Sequence, residues 1–229
     1  MSNFSPKALG EAPVGKLLFS MSMHTTLSLV LNSLYTLADT YFVAQSIGAF
    51  AAGGIALATP LLMLLAALST TMGTGASVLI SRALGKNDED GAAKTAANTF
   101  LTFWGSALLF TVLGLTFLEP ILKVLGTDPQ LTPYTRDYLK ILLCGTVFST
   151  GFSSLIRAEG NARYALLIWI IPVSLNIITD ALFLMVFHWG VKGAAFSTVL
   201  TWMLSFCMSI YYFFFSKRDA YVLKRRVPA

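Results

Sequence analysis

Charge is scarce in this chain. Asp, Glu, Lys and Arg make up 12% of its 229 residues, against roughly 25% in an ordinary soluble domain. A soluble domain of this size could not build its polar shell from so few. Histidine and cysteine are scarcer, at two each. His24 and His188 cannot assemble a histidine-rich metal centre. Cys144 and Cys207 both fall inside apolar runs and give neither a disulfide framework nor a zinc site. A phosphate-binding loop with its lysine is also missing, since Gly73-Thr74-Gly75 lies in an apolar run, so ATP-driven pumping by this chain is not expected. What remains is hydrophobic: 55% of residues and a mean hydropathy of +0.70. That excludes disorder, which needs low hydrophobicity and high charge, and leaves an integral membrane protein.

Run length decides the kind of span. Leu101 to Leu118 and Tyr164 to Trp189 are long and continuous, as membrane helices are, whereas membrane strands alternate over roughly 10 residues. The expected fold is an all-α membrane bundle of six transmembrane helices, at roughly 14–42, 53–80, 93–118, 134–156, 163–187 and 191–215. These occupy a unit 1–215, followed by a basic tail, 216–229. The segment Glu119 to Pro133 holds three prolines and reads as a structured loop. No soluble catalytic domain is left over.

The net charge of +5 reads first as topology, not as affinity for nucleic acid. With the N-terminus inside, twelve of the sixteen basic residues lie in cytoplasmic segments. The outer loops keep Lys123, Arg136, Lys140 and Lys192. This bias places both termini in the cytoplasm and the chain in the plasma (inner) membrane as a multi-pass protein, its partner the lipid bilayer. The stretch 1–15 lacks the pattern of a cleaved signal, and the first span is expected to serve as an uncleaved one. The tail from Lys217 to Arg226 reads as a stop-transfer anchor.

Carboxylates inside membrane helices cost about 2.5 to 3.5 kcal/mol each at the centre of a span, so Asp39 and Asp180 draw the eye. Asn176 precedes Asp180 by four residues and shares its helix face. Pro172, four residues earlier again, frees the carbonyl of Ile168 and kinks the fifth span. Asp39 should lie about 3 residues, ~5 Å, from the outer end of its helix and Asp180 about 7 residues, ~10 Å, with Thr198 on the sixth span at nearly the depth of Asp180. Two carboxylates, an amide and a hydroxyl thus share one slab of the outer leaflet. If they converge, they make a hard-oxygen site for sodium or a proton. A snorkelled or hydrogen-bonded lone aspartate is the plainer reading for Asp39. Thr25, Ser28, Asn32, Tyr35 and Asp39 form a polar stripe at spacings of 3 and 4. It faces either protein or a water-filled cavity, which makes Asn32 and Tyr35 candidates for lining a substrate cavity. His24 reads more readily as a packed polar residue than as a proton relay.

Five stretches carry a family likeness: Leu34 to Val43; Gly75-Ala76-Ser77 through Ser81-Arg82-Ala83-Leu84-Gly85; Ile156 to Asn161; Asn176 to Asp180; and Gly193 to Thr198. In this order and at these helix positions, the chain resembles the multidrug and toxic compound extrusion (MATE) transporters along nearly its whole length. The resemblance implies a twelve-helix fold of two six-helix lobes, of which this is the N-terminal one. It implies cation-coupled antiport (Na+ or H+) of organic, cationic drugs, with no enzyme activity and no cofactor beyond a bound Na+. The ion site would be Asp39, Asn176, Asp180 and Thr198. The partners would be a small organic cation as substrate and a second six-helix lobe, either a C-terminal half or another copy of this chain. One feature departs from the family: many members have a Leu-Pro pair in the inner half of the first helix, where this chain has His24.

Three alternatives stand beside this reading. One is a lipid-linked saccharide flippase of the same superfamily, disfavoured by the lack of arginine at mid-membrane. Another is a non-transporting half-length fragment. The last is an intramembrane aspartyl protease, whose dyad would need sequence contexts other than Leu37-Ala38-Asp39 and Ile178-Thr179-Asp180. The topology itself is testable. In whole cells, a membrane-impermeant thiol reagent should label Lys123→Cys and not Lys86→Cys, in a background lacking Cys144 and Cys207; the reverse pattern overturns the orientation.

Overall fold

The structure, a computed structural model, describes residues 14–149 and 152–215. The basic tail 216–229 lies outside the described residues. So do several side chains of the first helix, among them those of His24, Thr25, Ser28, Asn32 and Tyr35. The described residues form helices α1 (Val14–Ile47), α2 (Ala49–Gly85), α3 (Glu89–Thr116), α4 (Leu118–Val124), α5 (Thr132–Gly145), α6 (Phe152–Ala158), α7 (Ala162–Asp180) and α8 (Gly190–Phe215). A 3₁₀ turn, Thr146–Phe148, follows α5, and a π-helical turn, Ala181–Val186, follows α7. Five stretches are long and apolar enough to cross a membrane: α2, α3, Thr132–Ala158, Arg163–Val186 and Gly190–Phe213. The 34-residue α1 has length to spare over a hydrocarbon core of about 30 Å. Large apolar side chains such as Leu18, Met63, Leu101 and Val112 are exposed on the outside of the bundle. That is the surface a bilayer covers and water does not.

The connections explain where helices end. α1 runs to Ile47, five residues past the expected end at 42, because nothing before Gly48 breaks a helix: Gln45 and Ser46 are polar but helix-compatible. The loop expected at Gln45 to Gly48 shrinks to Gly48 alone. Its φ of +89° lies in the region that glycine enters without steric cost. At the other end of α2, Asn87 (φ +58°) turns the chain, and Asp88 caps α3 by accepting from the Gly91 amide at 2.8 Å. Glu89 and Asp90 in the first turn suit the positive end of the helix dipole. The proline-rich outer loop is structured, as its composition implied, and contains α4, where Pro120 sits harmlessly in the first turn.

The fourth span departs from expectation. A continuous helix over 134–156 is replaced by α5, the 3₁₀ turn and α6. The sequence around the break, Gly145-Thr146-Val147-Phe148-Ser149-Thr150-Gly151, is rich in weak helix formers, which a hydropathy count scores as span and a backbone does not. Threonine hydroxyls gather at the start of the break. Thr111 and Thr146 both donate to the Leu143 carbonyl, at 2.9 and 2.8 Å, and their hydroxyls meet at 2.5 Å. The break also separates two apolar clusters. One gathers Leu139, Leu142 and Leu143 of α5 with Val43, Ala58, Leu184 and Ala194. The other gathers Phe152, Leu155 and Ile156 of α6 with Ile80, Ala96, Phe103 and Tyr212.

α7 and α8 are joined by a polar seam. Pro172 lacks the amide that would bond Ile168, and Ser205 of α8 approaches that freed carbonyl at 3.5 Å. Tyr164 donates to the Met208 carbonyl at 2.9 Å, and Asn176 donates to Ser197 at 3.0 Å. The backbones also come close elsewhere: a Cβ built on Gly145 would lie 2.4 Å from Val199 of α8. Gly145→Val should therefore cost about 1–3 kcal/mol through overpacking, read as a lower thermal midpoint of the purified protein in detergent. An unchanged midpoint would show that α5 and α8 have room between them.

Candidate functional site

Depth brings the polar residues together. Because α1 extends to Ile47, Asp39 lies 8 residues from the C-terminal end of its helix, or ~12 Å at 1.5 Å per residue, deeper than the ~5 Å expected from the sequence. Thr198 lies 8 residues into α8, which begins at Gly190, again ~12 Å. Asp180 closes α7 and is followed by the π turn. At this depth snorkelling is a poor escape for Asp39, and the helices supply protein surroundings instead: α1 packs on α7 and α8, and α7 packs on α8.

Asp180 and Asn176 are fully buried, Thr198 is nearly so, and Asp39 is half-buried. The carboxyl groups of Asp39 and Asp180 lie within side-chain reach of each other, and Ser197 also approaches Asp180. No contact to either Asp180 oxygen meets hydrogen-bond geometry, and the side-chain oxygen of Asn176 has no partner either. Ionised carboxylates only accept, so the two aspartates cannot satisfy one another. A proton shared between them, or a cation held by both, would. The donor set of carboxylate and amide oxygens suits a hard monovalent cation or a proton. It does not suit a soft transition metal, and no group of three or more His, Cys, Asp or Glu occurs among the described residues.

Of the four residues expected at the ion site, the structure sets Asp39 beside Asp180, with Asn176 one turn below on the same face. Thr198 stands at the right depth, but its hydroxyl donates to its own helix, to the Ala194 carbonyl at 3.0 Å. The expected cavity residues Asn32 and Tyr35 lie outside the described side chains.

Two residues were missed. Ser197 is fully buried. It accepts from Asn176 Nδ2 at 3.0 Å, contacts the Thr179 hydroxyl at 2.5 Å and donates to the Asn176 carbonyl at 3.2 Å. Thr179, half-buried, also reaches the Leu175 and Asn176 carbonyls at 3.0 and 3.1 Å. Depth ranks Ser197 and Thr198 alike; only the 100° between neighbouring residues of a helix separates them, and sequence gives no rotation. Thr179, three residues after Asn176, could have been found from its spacing.

The π turn is the other feature absent from the expectations. The Phe187 amide bonds the Leu182 carbonyl at 3.0 Å, five residues back, and Trp189 bonds Phe183 at 3.0 Å. π turns inserted in α-helices are frequent at functional sites. This one starts immediately after Asp180.

The MatE family model matches residues 25–182. The FAD transporter of Shewanella oneidensis is 25% identical over 211 residues, covering 88% of this chain and 46% of that protein. The multidrug export protein MepA of Staphylococcus aureus is 27% identical over 208 residues, covering 89% of this chain and 46% of that protein. A solved structure described as the outward-facing conformation of a multidrug resistance MATE family transporter superposes with a TM-score of 0.83 at 27% identity, covering 89% of this chain and 45% of that one. The chain spans a little under half the length of the curated relatives it matches.

The buried hydroxyl and amide make separable predictions for stability. Asn176→Leu removes the donor to Ser197 and should cost about 1–3 kcal/mol. Thr198→Val removes a bond internal to one helix and should cost under about 1 kcal/mol. Thermal denaturation of the purified variants checks the ranking, and a reversed order contradicts the seam drawn above.

Proposed function

The chain belongs to the MatE family, and from that premise we propose that it supplies one lobe, with the ion site, of an exporter that exchanges Na+ or H+ for organic cations. The family is one of transporters and not of enzymes, so the protease reading falls. One observation carries the proposal: Asp180, fully buried with both oxygens unpartnered, lies within reach of Asp39 on a different helix. A pair of carboxylates held so far from water favours any cation that can reach it. A coupling ion entering from the outer face and an organic cation from an interlobe cavity would then compete for the same negative charge. Coupling requires that each prefer a different conformation.

The name of the Shewanella relative says that it carries FAD, an anion. Among the described residues, the basic side chains lie toward the two ends of the spans. Arg157 and Arg163 flank the turn before α7, and Lys192 sits near the start of α8, paired with Asp137 at 3.4 Å. Lys140 stands 8 residues into α5 but is exposed on the outside of the bundle, and no basic group is among those acting on Asp39 or Asp180, which favours a cationic substrate over a flavin or a lipid pyrophosphate. The second lobe, whether another part of a longer chain or a second copy, would complete the cavity, and the bilayer would cover the outer apolar face. Both termini are proposed to be cytoplasmic and the membrane to be the plasma membrane.

The test is efflux of a cationic dye from cells expressing the intact protein, against sodium and proton gradients. Asp180→Asn and Asp39→Asn should each reduce ion-dependent efflux by at least tenfold. Wild-type efflux in both variants would overturn the site; efflux of flavin in preference to the dye would overturn the substrate class.

A further inference from the structure

An amide side chain has two unlike ends, and the end turned inward decides whether a site attracts or repels a cation. Asn176 Nδ2 donates to Ser197 Oγ at 3.0 Å, which leaves Oδ1 as the free end. That oxygen is buried without a donor, one turn from the two unpartnered oxygens of Asp180. What holds the amide this way round is the state of the serine. Its hydroxyl lies 3.2 Å from the Asn176 backbone carbonyl, to which it can donate, and 2.5 Å from the Thr179 hydroxyl, where either oxygen can be the donor. While the hydroxyl donates to that carbonyl, it offers only lone pairs to the amide, and in this arrangement it holds the NH2 end. Ser197 is itself fully buried, where no water competes for these bonds.

Resting on the reading of Asn176 and Asp180 as part of the coupling site, we infer that Ser197 is a positioning residue of that site: its hydroxyl holds the Asn176 amide with the oxygen turned toward the cation and so sets the affinity for it. Ser197 need not touch the cation to do this. Its neighbour Thr198, bonded to its own helix turn, has no such hold on the amide.

The experiment uses the intact protein in proteoliposomes, with a cationic dye as substrate. External sodium is varied at fixed pH and external pH at fixed sodium, for the wild type, Ser197→Ala, Ser197→Thr and Asp180→Asn at matched protein. Ser197→Ala should raise the half-saturating cation concentration about tenfold or more, the size expected when a hydrogen bond supporting a charged site is lost. Its maximal rate should still be reached at high cation concentration. Ser197→Thr keeps the hydroxyl and should stay within about threefold of wild type.

Three results overturn the assignment. The first is Ser197→Ala keeping the wild-type half-saturating concentration while Asp180→Asn loses ion dependence. The second is Ser197→Ala lowering only the maximal rate, as a purely structural role would. The third is Ser197→Thr shifting as far as Ser197→Ala. If Asp180→Asn keeps its ion dependence, the underlying site reading fails instead. Should Ser197→Ala not reach the membrane, Ser197→Cys, a weaker acceptor of similar size, carries the same test with an expected rise of about threefold; no rise there also overturns the assignment.

Discussion

A carboxylate at hydrocarbon depth has to be enclosed by protein, and the arrangement of three helices follows from that one requirement. Asp180 is fully buried, and it can be so only because α1 and α8 both pack against α7. α1 brings a second carboxyl, Asp39. α8 brings the hydroxyl of Ser197, which ties it to Asn176 one turn away. Neither contact is strong by itself; an interhelical hydrogen bond in a membrane is worth roughly 1 kcal/mol. The site is held by their number, and by the close approach that small residues such as Ala194 and Ala195 allow at the start of α8.

The rest of the bundle leaves this region free of competing demands. Apolar packing is concentrated in two clusters, one built on α5 and the other on α6, with the interrupted fourth span between them. The interruption carries a threonine clasp at the Leu143 carbonyl, which keeps these polar groups within protein at membrane depth. Arg136 meets Glu119 at 2.8 Å and Lys192 meets Asp137 at 3.4 Å, both pairs at solvent-accessible positions. At such exposure they contribute little to stability.

The membrane class and the helical bundle were legible in the sequence because run length and charge scarcity report directly on the solvent that the chain meets. Asp39 and Asp180 stood out because a carboxylate in an apolar run is costly and rare, and Asn176 because it lies four residues before Asp180 on the same helix face. Three things were not. Hydropathy is blind to backbone geometry, so the break after Gly145 read as a continuous span. Depth does not fix rotation about a helix axis, so the bonds of Ser197 to Asn176 and Thr179 could not be told from the position of its neighbour Thr198. The π turn after Asp180 has no sequence signature in Ala181-Leu182-Phe183-Leu184-Met185-Val186: every residue there suits an α-helix, and the altered bonding is imposed by the packing around it.

Pro172 and that π turn bracket the segment carrying the two site residues. Below it, the bond from residue 172 to Ile168 is missing and Ser205 substitutes only at 3.5 Å. Above it, bonding widens to five residues. Val173 to Asp180 is thus a stiff rod of about two turns set between two compliant joints. A force applied at the carboxylate, by the arrival or departure of a charge, is resisted least at those joints. The rod would pivot as one piece, carrying amide and carboxylate together and keeping their spacing intact.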